Sequence, residues 1–538
     1  MRQTPAGNGT REGSRQVTAI AGGQQAAHPW LTLCTVALGL MMVLLDTSIV
    51  SVANATIGTD LHGSLAGLQW VTDAFLLAIA TGLVAGGKLG DHYGRRRLFS
   101  WGAAGFALTS AGCGLAASMA ALIGFRAAQG LAGAAMMPQT LATLRATFGR
   151  RFHLAVGIYV GISSLAIASG PIVGGALVQA AGWRSIFFIN VVVGAAVIAA
   201  ARAFVPETRS PRAAALDVPG ALLLAGALFC LAWALVNSGT HPWSSAYTLA
   251  FLAAAAVLAI LWAARMARAA APLVPLSLFR AASFDAGAVV VTATGFTMYG
   301  LLFYLTLYLQ RVHGDSPVAA GAALLPLTAA SGIAAPIGGV LARRVPLRLQ
   351  LCAGLLLVTA GALGLVATLG TRSAPLSLAP WLALAGIGVG ISLTGGSQAV
   401  VGSAPPAHAG IATGIQQTSL NIGGALATAV LGSVMVSRAG TVLPGLLARQ
   451  HVSAGLTASL TAARTAIAQG LIPLPPGLTA YQARAVAMAS QQAMTSGLRT
   501  ALIVIAAVTA AASLAAVTLI TSAAHPAPGD AGSGGLPG

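Results

Sequence analysis

Of 538 residues, 57% are hydrophobic and only 7% are charged, with a mean hydropathy of +0.84. No water-soluble fold could present that balance to solvent, so the chain is read as an all-α polytopic membrane protein. The net charge of +18 would suggest nucleic acid in a soluble chain, but here the basic residues lie in short loops between apolar runs, where they encode orientation; no nucleic-acid partner is expected.

Residues 1–29 are polar, with Arg2, Arg11 and Arg15, and the apolar run that follows is long enough to span. No cleavable signal peptide is expected, and this segment reads as a cytoplasmic tail. Asp46 sits in the middle of that run, between Trp30 and Ala53, where nothing else is charged. An ionised carboxylate at such a depth costs about 2.5–3.5 kcal/mol and marks a proton site or pathway by default. The competing reading is an acid near a helix end that reaches water.

After this first run, near 30–54, apolar runs of about 20 residues lie near 70–89, 98–117, 120–146, 153–180 and 185–205, then near 217–238 and 245–267, then near 284–310, 317–342, 347–370, 377–402, 408–437 and 495–522. The expected architecture is fourteen spans as 6 + 2 + 6. It divides into a six-helix bundle over 30–205, two inserted helices with linkers over 206–280, a second six-helix bundle over 281–522, and a cytoplasmic tail over 523–538. With the amino terminus inside, sixteen Lys and Arg residues between Lys88 and Arg348 fall in inner loops, against Arg184, Arg311 and Arg372 in short outer ones. That bias supports an even span count with both termini cytoplasmic. The long outer connection 438–494, with Arg438, Arg449, Arg464, Arg484 and the cluster Pro473, Pro475 and Pro476, reads equally as an exterior cap or a tether.

Along the chain, Asp73 near the outer end of span 2 reads as a second proton or cation site facing a cavity, or as a solvated surface acid. Span 2 ends in Gly87-Lys88-Leu89-Gly90-Asp91-His92-Tyr93-Gly94-Arg95-Arg96-Arg97. Its glycines allow helix ends to approach closely, and Asp91 among arginines can form a latch at the cytoplasmic rim that breaks and re-forms as two halves rock. On charge alone it would be a basic stop after a span. Arg126, inside span 4, must pair or snorkel; attraction to Asp46 would favour the carboxylate while burial disfavours it, and whether the two touch is open. Gly170, Pro171, Gly174 and Gly175 put small residues on one face of span 5, as a packing seam would. Phe296, Tyr299, Phe303, Tyr304 and Tyr308 recur at helical spacing in span 9, as an aromatic wall for lipophilic cations or an interfacial stripe.

Other signals carry no chemistry. Gly82 through Lys88 nearly spells a phosphate loop, but Leu89 replaces the required Ser or Thr and no strand precedes it. Gly386, Gly388 and Gly390 lie inside an apolar span and serve helix packing. Cys34, Cys113, Cys230 and Cys352 fall in separate spans, so neither a metal site nor a disulfide framework is indicated. No hydrolase constellation is present, and neither an enzyme nor a cofactor is expected.

The string from Gly87 to Arg97 resembles the loop 2–3 signature of the major facilitator superfamily. Leu45-Asp46-Thr47 through Val52-Ala53 resembles the first-helix signature of its fourteen-span drug:proton antiporters. Arg126-Ala127-Ala128-Gln129-Gly130, Gly170-Pro171 with Gly174-Gly175, and Trp183-Arg184 through Asn190-Val191 resemble further motifs of that family; so do Ser316-Pro317 through Pro326, and Gly410 through Gly424 with Gln416, Gln417, Ser419 and Asn421. Asn54 and Ala55 replace the usual Leu-Pro, Ala166 replaces a Gly, and Arg343 stands where the second-half gate would carry an acid. The resemblance implies a bacterial cytoplasmic-membrane exporter of amphipathic, cationic or aromatic drugs or antibiotics, monomeric and driven by the proton motive force through alternating access. On that reading Asp46, Asp73 and Arg126 couple protons. Gly87, Asp91, Gly94, Arg95 and Arg96 form the gate, and Gly170, Pro171, Gly174 and Gly175 bear on export direction. Tyr299, Phe303, Tyr304, Gln416, Gln417 and Asn421 line the cavity. The alternatives are a dedicated exporter of one metabolite or self-made antibiotic, and a sensor or lipid-binding scaffold built on a transporter fold.

Overall fold

The computed structural model describes residues 28–209, 217–237, 241, 243–269, 272, 278–279, 281–341, 344–371, 373–404, 409–468, 470–472 and 478–522. Residues 1–27 of the tail read over 1–29, the tail 523–538, Arg343, Arg372 and the cluster Pro473, Pro475 and Pro476 lie outside the described residues. Among the described residues, regular structure is helical: α1 Pro29–Asp60, α2 Leu65–Tyr93, α3 Arg95–Leu115, α4 Met119–Phe148, α5 Phe152–Ala181, α6 Ser185–Phe204, α7 Val218–Asn237, α8 Ala246–Arg268 and α9 Ala282–Arg311. Then come α10 Pro317–Ala323, α11 Leu325–Leu341, α12 Leu347–Thr368, α13 Pro375–Gly402, α14 Ala409–Arg449, α15 Ala454–Ala462, α16 Arg464–Ala468 and α17 Ala480–Ser522.

Local chemistry sets the boundaries. Ser64, Ser118, Ser245 and Ser316 cap α2, α4, α8 and α10 by accepting the backbone N–H three residues on, which satisfies a donor the helix leaves orphaned. Gly94 separates α2 from α3 at φ +103°, a conformation that a Cβ makes costly. Twelve of these helices are long and apolar enough to cross a membrane, or thirteen if α10 and α11, bent by 41°, count as one broken span. The fourteenth expected position, near 153–180, is held by α5, a 30-residue helix outside that count.

Helices α1 to α6 pack among themselves, with α2 on α4, α3 on α4 and α6, and α1 on α5 and α6. Helices α9 to α17 form a second set, in which α9 lies against α13, α14 and α17, and α13 against α11 and α12. The sets meet where α2 lies on α14 and where α5 lies on α10 and α11; α7 pairs with α8 and touches both α2 and α14.

The described parts of the long connection pack together. Helices α14 and α17 have 41 and 43 residues, so at 1.5 Å per residue they run for about 60 Å, about twice the hydrocarbon thickness of a bilayer. Their projecting ends close with α15 and α16 around a core of Ala439, Leu443, Leu447, Leu460, Ile467 and Val486. Ala468 of α16 joins the core that holds Leu65 and Leu68 of α2, so the connection reaches across to the first helix set.

The α5–α10 contact is backbone on backbone. A Cβ at Gly175 would lie 2.6 Å from the Pro317 carbonyl oxygen, and one at Gly321 would collide with that of Pro171. Gly321→Ala should therefore destabilise the protein by about 1–3 kcal/mol, as overpacking does, while Gly445→Ala, where a Cβ meets nothing within 4 Å, should not. Thermal unfolding in detergent measures both; equal midpoints would remove the close-contact account.

Candidate functional site

Asp46 and Arg126 are each 1% exposed, and they touch. Arg126 Nη1 donates to Asp46 Oδ2 at 2.5 Å and to Gln129 Oε1 at 2.6 Å, while its Nε donates to the Val71 carbonyl at 3.0 Å. Asp46 Oδ1 accepts from Gln129 Nε2 at 3.1 Å and from Asn190 Nδ2 at 2.8 Å. Asn190 also donates to Ser110 Oγ at 3.0 Å, and Ser110 donates to the Phe187 carbonyl at 2.9 Å. The guanidinium lies 4.0 Å from the Phe75 ring centroid. Five helices, α1, α2, α3, α4 and α6, thus supply one network. Buried charges persist only when paired and hydrogen-bonded in this way.

Asp73 is also buried, at 0% exposure, so the solvated-acid reading fails. It lies on the opposite face of α2 from Val71 and Phe75, at the seam with α14. Thr428 donates to its Oδ1, and Oδ2 has no hydrogen-bond partner. Beside it on the same face, Gln69 Nε2 donates to Tyr304 Oη at 2.9 Å and to the Thr428 carbonyl at 2.5 Å; Tyr304 donates to that carbonyl as well. None of the described Lys, Arg or His side chains pairs with Asp73 within 4 Å. Asn421, 2% exposed on α14, leaves Nδ2 unbonded.

The seam is closed at the end where α1 finishes and α2 begins. There Gln310 Nε2 donates to the Val52 carbonyl at 2.8 Å, and Arg311 Nη2 to the Ala55 carbonyl at 2.5 Å. Nearer the other end Thr418 Oγ1 donates to the Ala80 carbonyl at 2.9 Å. The span 9 aromatics do not form one wall. Tyr299 packs at Gly424 on the α14 side, Tyr304 points to Thr428, Tyr308 donates to the Gly370 carbonyl, and Phe303 lies edge-on to Tyr304 at 4.7 Å. Gln416 and Gln417 are half-buried on α14.

The small residues of span 5 face two ways. A Cβ at Gly170 would collide with Ser48 and one at Gly174 would lie 3.1 Å from Ile49, so α5 seats on α1 directly after Asp46; Gly175 and the Pro171 carbonyl instead meet α10. At the rim, Arg95 donates to Asp91 Oδ1 from Nη2 at 2.8 Å and from Nε at 3.2 Å. Glu207 Oε1 accepts the Arg96 backbone N–H at 3.2 Å, and its Oε2 lies 3.7 Å and 3.8 Å from Arg96 and Arg97. Among the described residues, the contacts of Asp91 and Glu207 with these arginines form a clasp within the first helix set, tying α2, α3 and the segment after α6. Gly87 has only Pro138 near a would-be Cβ, at 3.7 Å, and a Cβ at Gly94 would meet Glu207. Sequence reasoning missed Glu207, although it is the lone acid between Asp91 and Asp217 in an arginine-rich stretch. It also gave no role to Gln69, Gln129, Asn190 or Thr428. Asn54, at the departure from the first-helix signature, is fully buried with both amide atoms unbonded.

The family model for the Major Facilitator Superfamily matches residues 36–428. The chain is 41% identical to the tetracenomycin C resistance and export protein of Streptomyces glaucescens, over 93% of each chain. It is 36% identical to the multidrug resistance protein Stp of Mycobacterium tuberculosis, over 76% of each. Among solved structures it resembles a bacterial homologue of the human lysosomal transporter Spinster in its inward-facing, unoccupied conformation, with a TM-score of 0.61 and 19% identity, covering 92% of this chain and 98% of that one.

Removing one member of the buried pair should be worse than removing both. Arg126→Met leaves a buried carboxylate without its cation, which costs about 3–5 kcal/mol, whereas Asp46→Asn with Arg126→Met should recover most of that loss. Unfolding midpoints of the singles and the double measure the coupling; additive losses would show that the pair is not an energetic unit.

Proposed function

The chain belongs to the major facilitator superfamily, and from that membership we propose that it exports amphipathic drugs or antibiotics, driven by proton entry through alternating access. The observation that carries the reading is Asp73: a buried carboxylate bonded across the seam between two helix sets, with one oxygen unbonded and no cation beside it. An ionised carboxylate there would be an uncompensated buried charge, so the closed seam suits a proton on Asp73. Loss of that proton to the opposite side weakens the seam. Asp46 takes a proton only by giving up Arg126, which loosens α1 from α4. Drug entering between the sets meets the unbonded Asn421 Nδ2 and Asn54 amide with Tyr299 and Tyr304, and Gln416, Gln417 and Phe303 complete the cavity. One proton crossing 100 mV supplies about 2.3 kcal/mol, enough for a gradient of about fifty-fold in an uncharged drug; a monovalent cation exchanged for one proton is driven by the pH difference alone.

The same reading assigns fourteen spans, with α5 and the broken pair α10–α11 each crossing once, as bundles over 30–205 and 281–522 with α7 and α8 inserted. Both termini are cytoplasmic and the exporter is a monomer in the bacterial cytoplasmic membrane, with the closed end of the seam outside. The clasp of Asp91, Arg95, Arg96 and Glu207, with Gly87 and Gly94, holds the inner rim, and Gly170, Pro171, Gly174 and Gly175 set the contact that must shear when the outer side opens.

A second reading, export of one compound, is favoured by the 41% identical relative, whose name gives a single antibiotic. A pH-gradient efflux assay in vesicles across a panel of unrelated drugs separates the two: several compounds exported supports the multidrug reading, one the dedicated exporter. Asp46→Asn and Asp73→Asn should each abolish the proton dependence of efflux. Asp46→Asn retaining full proton-driven efflux at normal expression would refute the coupling scheme.

A further inference from the structure

Away from the seam, α3 and α6 enclose a groove of about 420 Å³ whose lining includes Arg96, Arg97, Trp101, Ala104, Ile198 and Arg202. We propose that it binds an anionic phospholipid from the leaflet on the loop side, with the headgroup phosphate on Arg97 and Arg202 and an acyl chain along Trp101, Ala104 and Ile198. The groove lies at the ends of two helices long and apolar enough to cross a membrane, since Arg95 is the first residue of α3 and Phe204 the last of α6, which places it at the membrane boundary. Its polar end is at that boundary and its apolar end one to two turns deeper, the same order as in a phospholipid. Trp101 is 60% exposed, a ring with an apolar body and one N–H donor placed where such rings sit at membrane interfaces.

Charge selects the anionic class. Three arginines face the groove and one acid, Glu207, stands near two of them at 3.7 Å and 3.8 Å, outside hydrogen-bond reach for those guanidinium contacts. Arg202 is exposed and makes no ion pair within 4 Å among the described residues. A patch with net positive charge between membrane helices, beside apolar walls, fits an anionic headgroup. It would repel the lipophilic cations expected as cargo, which separates it from the transport route. A bound headgroup would also sit against Arg96 and Arg97, next to the Asp91–Arg95 clasp, so lipid composition would bear on the rim.

Native mass spectrometry of the purified full-length protein, titrated with phosphatidylglycerol or with phosphatidylcholine of the same chains, tests the assignment. Wild type should retain phosphatidylglycerol preferentially. Arg97→Gln and Arg202→Gln should each weaken retention about fivefold, the effect of one basic residue near an anionic surface, and Arg438→Gln, far from the groove, should leave it unchanged. Arg97 and Arg202 are both exposed, so size-exclusion profiles should match wild type; if one variant fails to purify, the other carries the comparison. Millimolar inorganic phosphate should not displace the lipid. Equal retention of both lipids, variants indistinguishable from wild type, or displacement by phosphate would each overturn the lipid site.

Discussion

A carboxylate and a guanidinium that are both 1% exposed can coexist in an apolar interior only if nearly all of their hydrogen-bonding capacity is met. That requirement organises the first helix set. Asp46 needs α4 for Arg126 and Gln129 and α6 for Asn190; Asn190 needs Ser110 of α3; Arg126 needs the Val71 carbonyl of α2. Each partner must stand at a fixed depth and rotation, so five helices are registered by one pair of charges. Apolar packing alone is permissive about such registers, because one lipid-like surface slides on another at little cost.

Helix α2 connects that network to the seam. Val71 and Phe75 face Arg126, while Gln69 and Asp73, four residues apart on the other side, face Tyr304 and Thr428 of the second set. The same turns of helix therefore serve both, and a rotation that relaxes one face strains the other. At α5 the arrangement repeats in backbone form, with Gly170 and Gly174 seated on α1 beside Asp46 and Gly175 and Pro171 against α10. Two helices thus hold the charged network on one side and the second helix set on the other.

Much of this was legible in the sequence. Apolar runs placed the membrane helices, because burial in hydrocarbon demands about 20 apolar residues whatever the tertiary fold, and the break between α10 and α11 falls just before Pro326, which cannot donate a backbone bond. The ends of α14 and α17 were not legible, since their alanine-rich extensions carry no hydrophobic edge to mark a boundary. Asp46 and Arg126 announced themselves by their cost in lipid. Their contact did not, because partners 80 residues apart are joined only by the packing of α1 on α4. The burial of Asp73 was hidden for the same reason, as position near a span end says nothing about what packs over it. Glu207 was overlooked because an acid after a span reads as a loop charge until the fold returns it to the start of α3.

The economy of acids narrows the remaining question. The sequence has ten, of which eight are described. Five of those have an arginine within 4 Å: Asp46, Asp60, Asp91, Glu207 and Asp217. Asp285 lies in the first turn of the 30-residue α9, where the positive end of the helix dipole favours an anion without a basic side chain, and Asp315, two residues before α10, is partly exposed to solvent. Asp73 has neither compensation. It is the ninth residue of α2, past the turn in which the dipole acts, and its one bonded oxygen accepts from a neutral hydroxyl of the opposite set. An acid kept there without electrostatic support is what the proposed proton exchange at this seam requires, because the neutral form is tolerated in the closed seam and the ionised form is not.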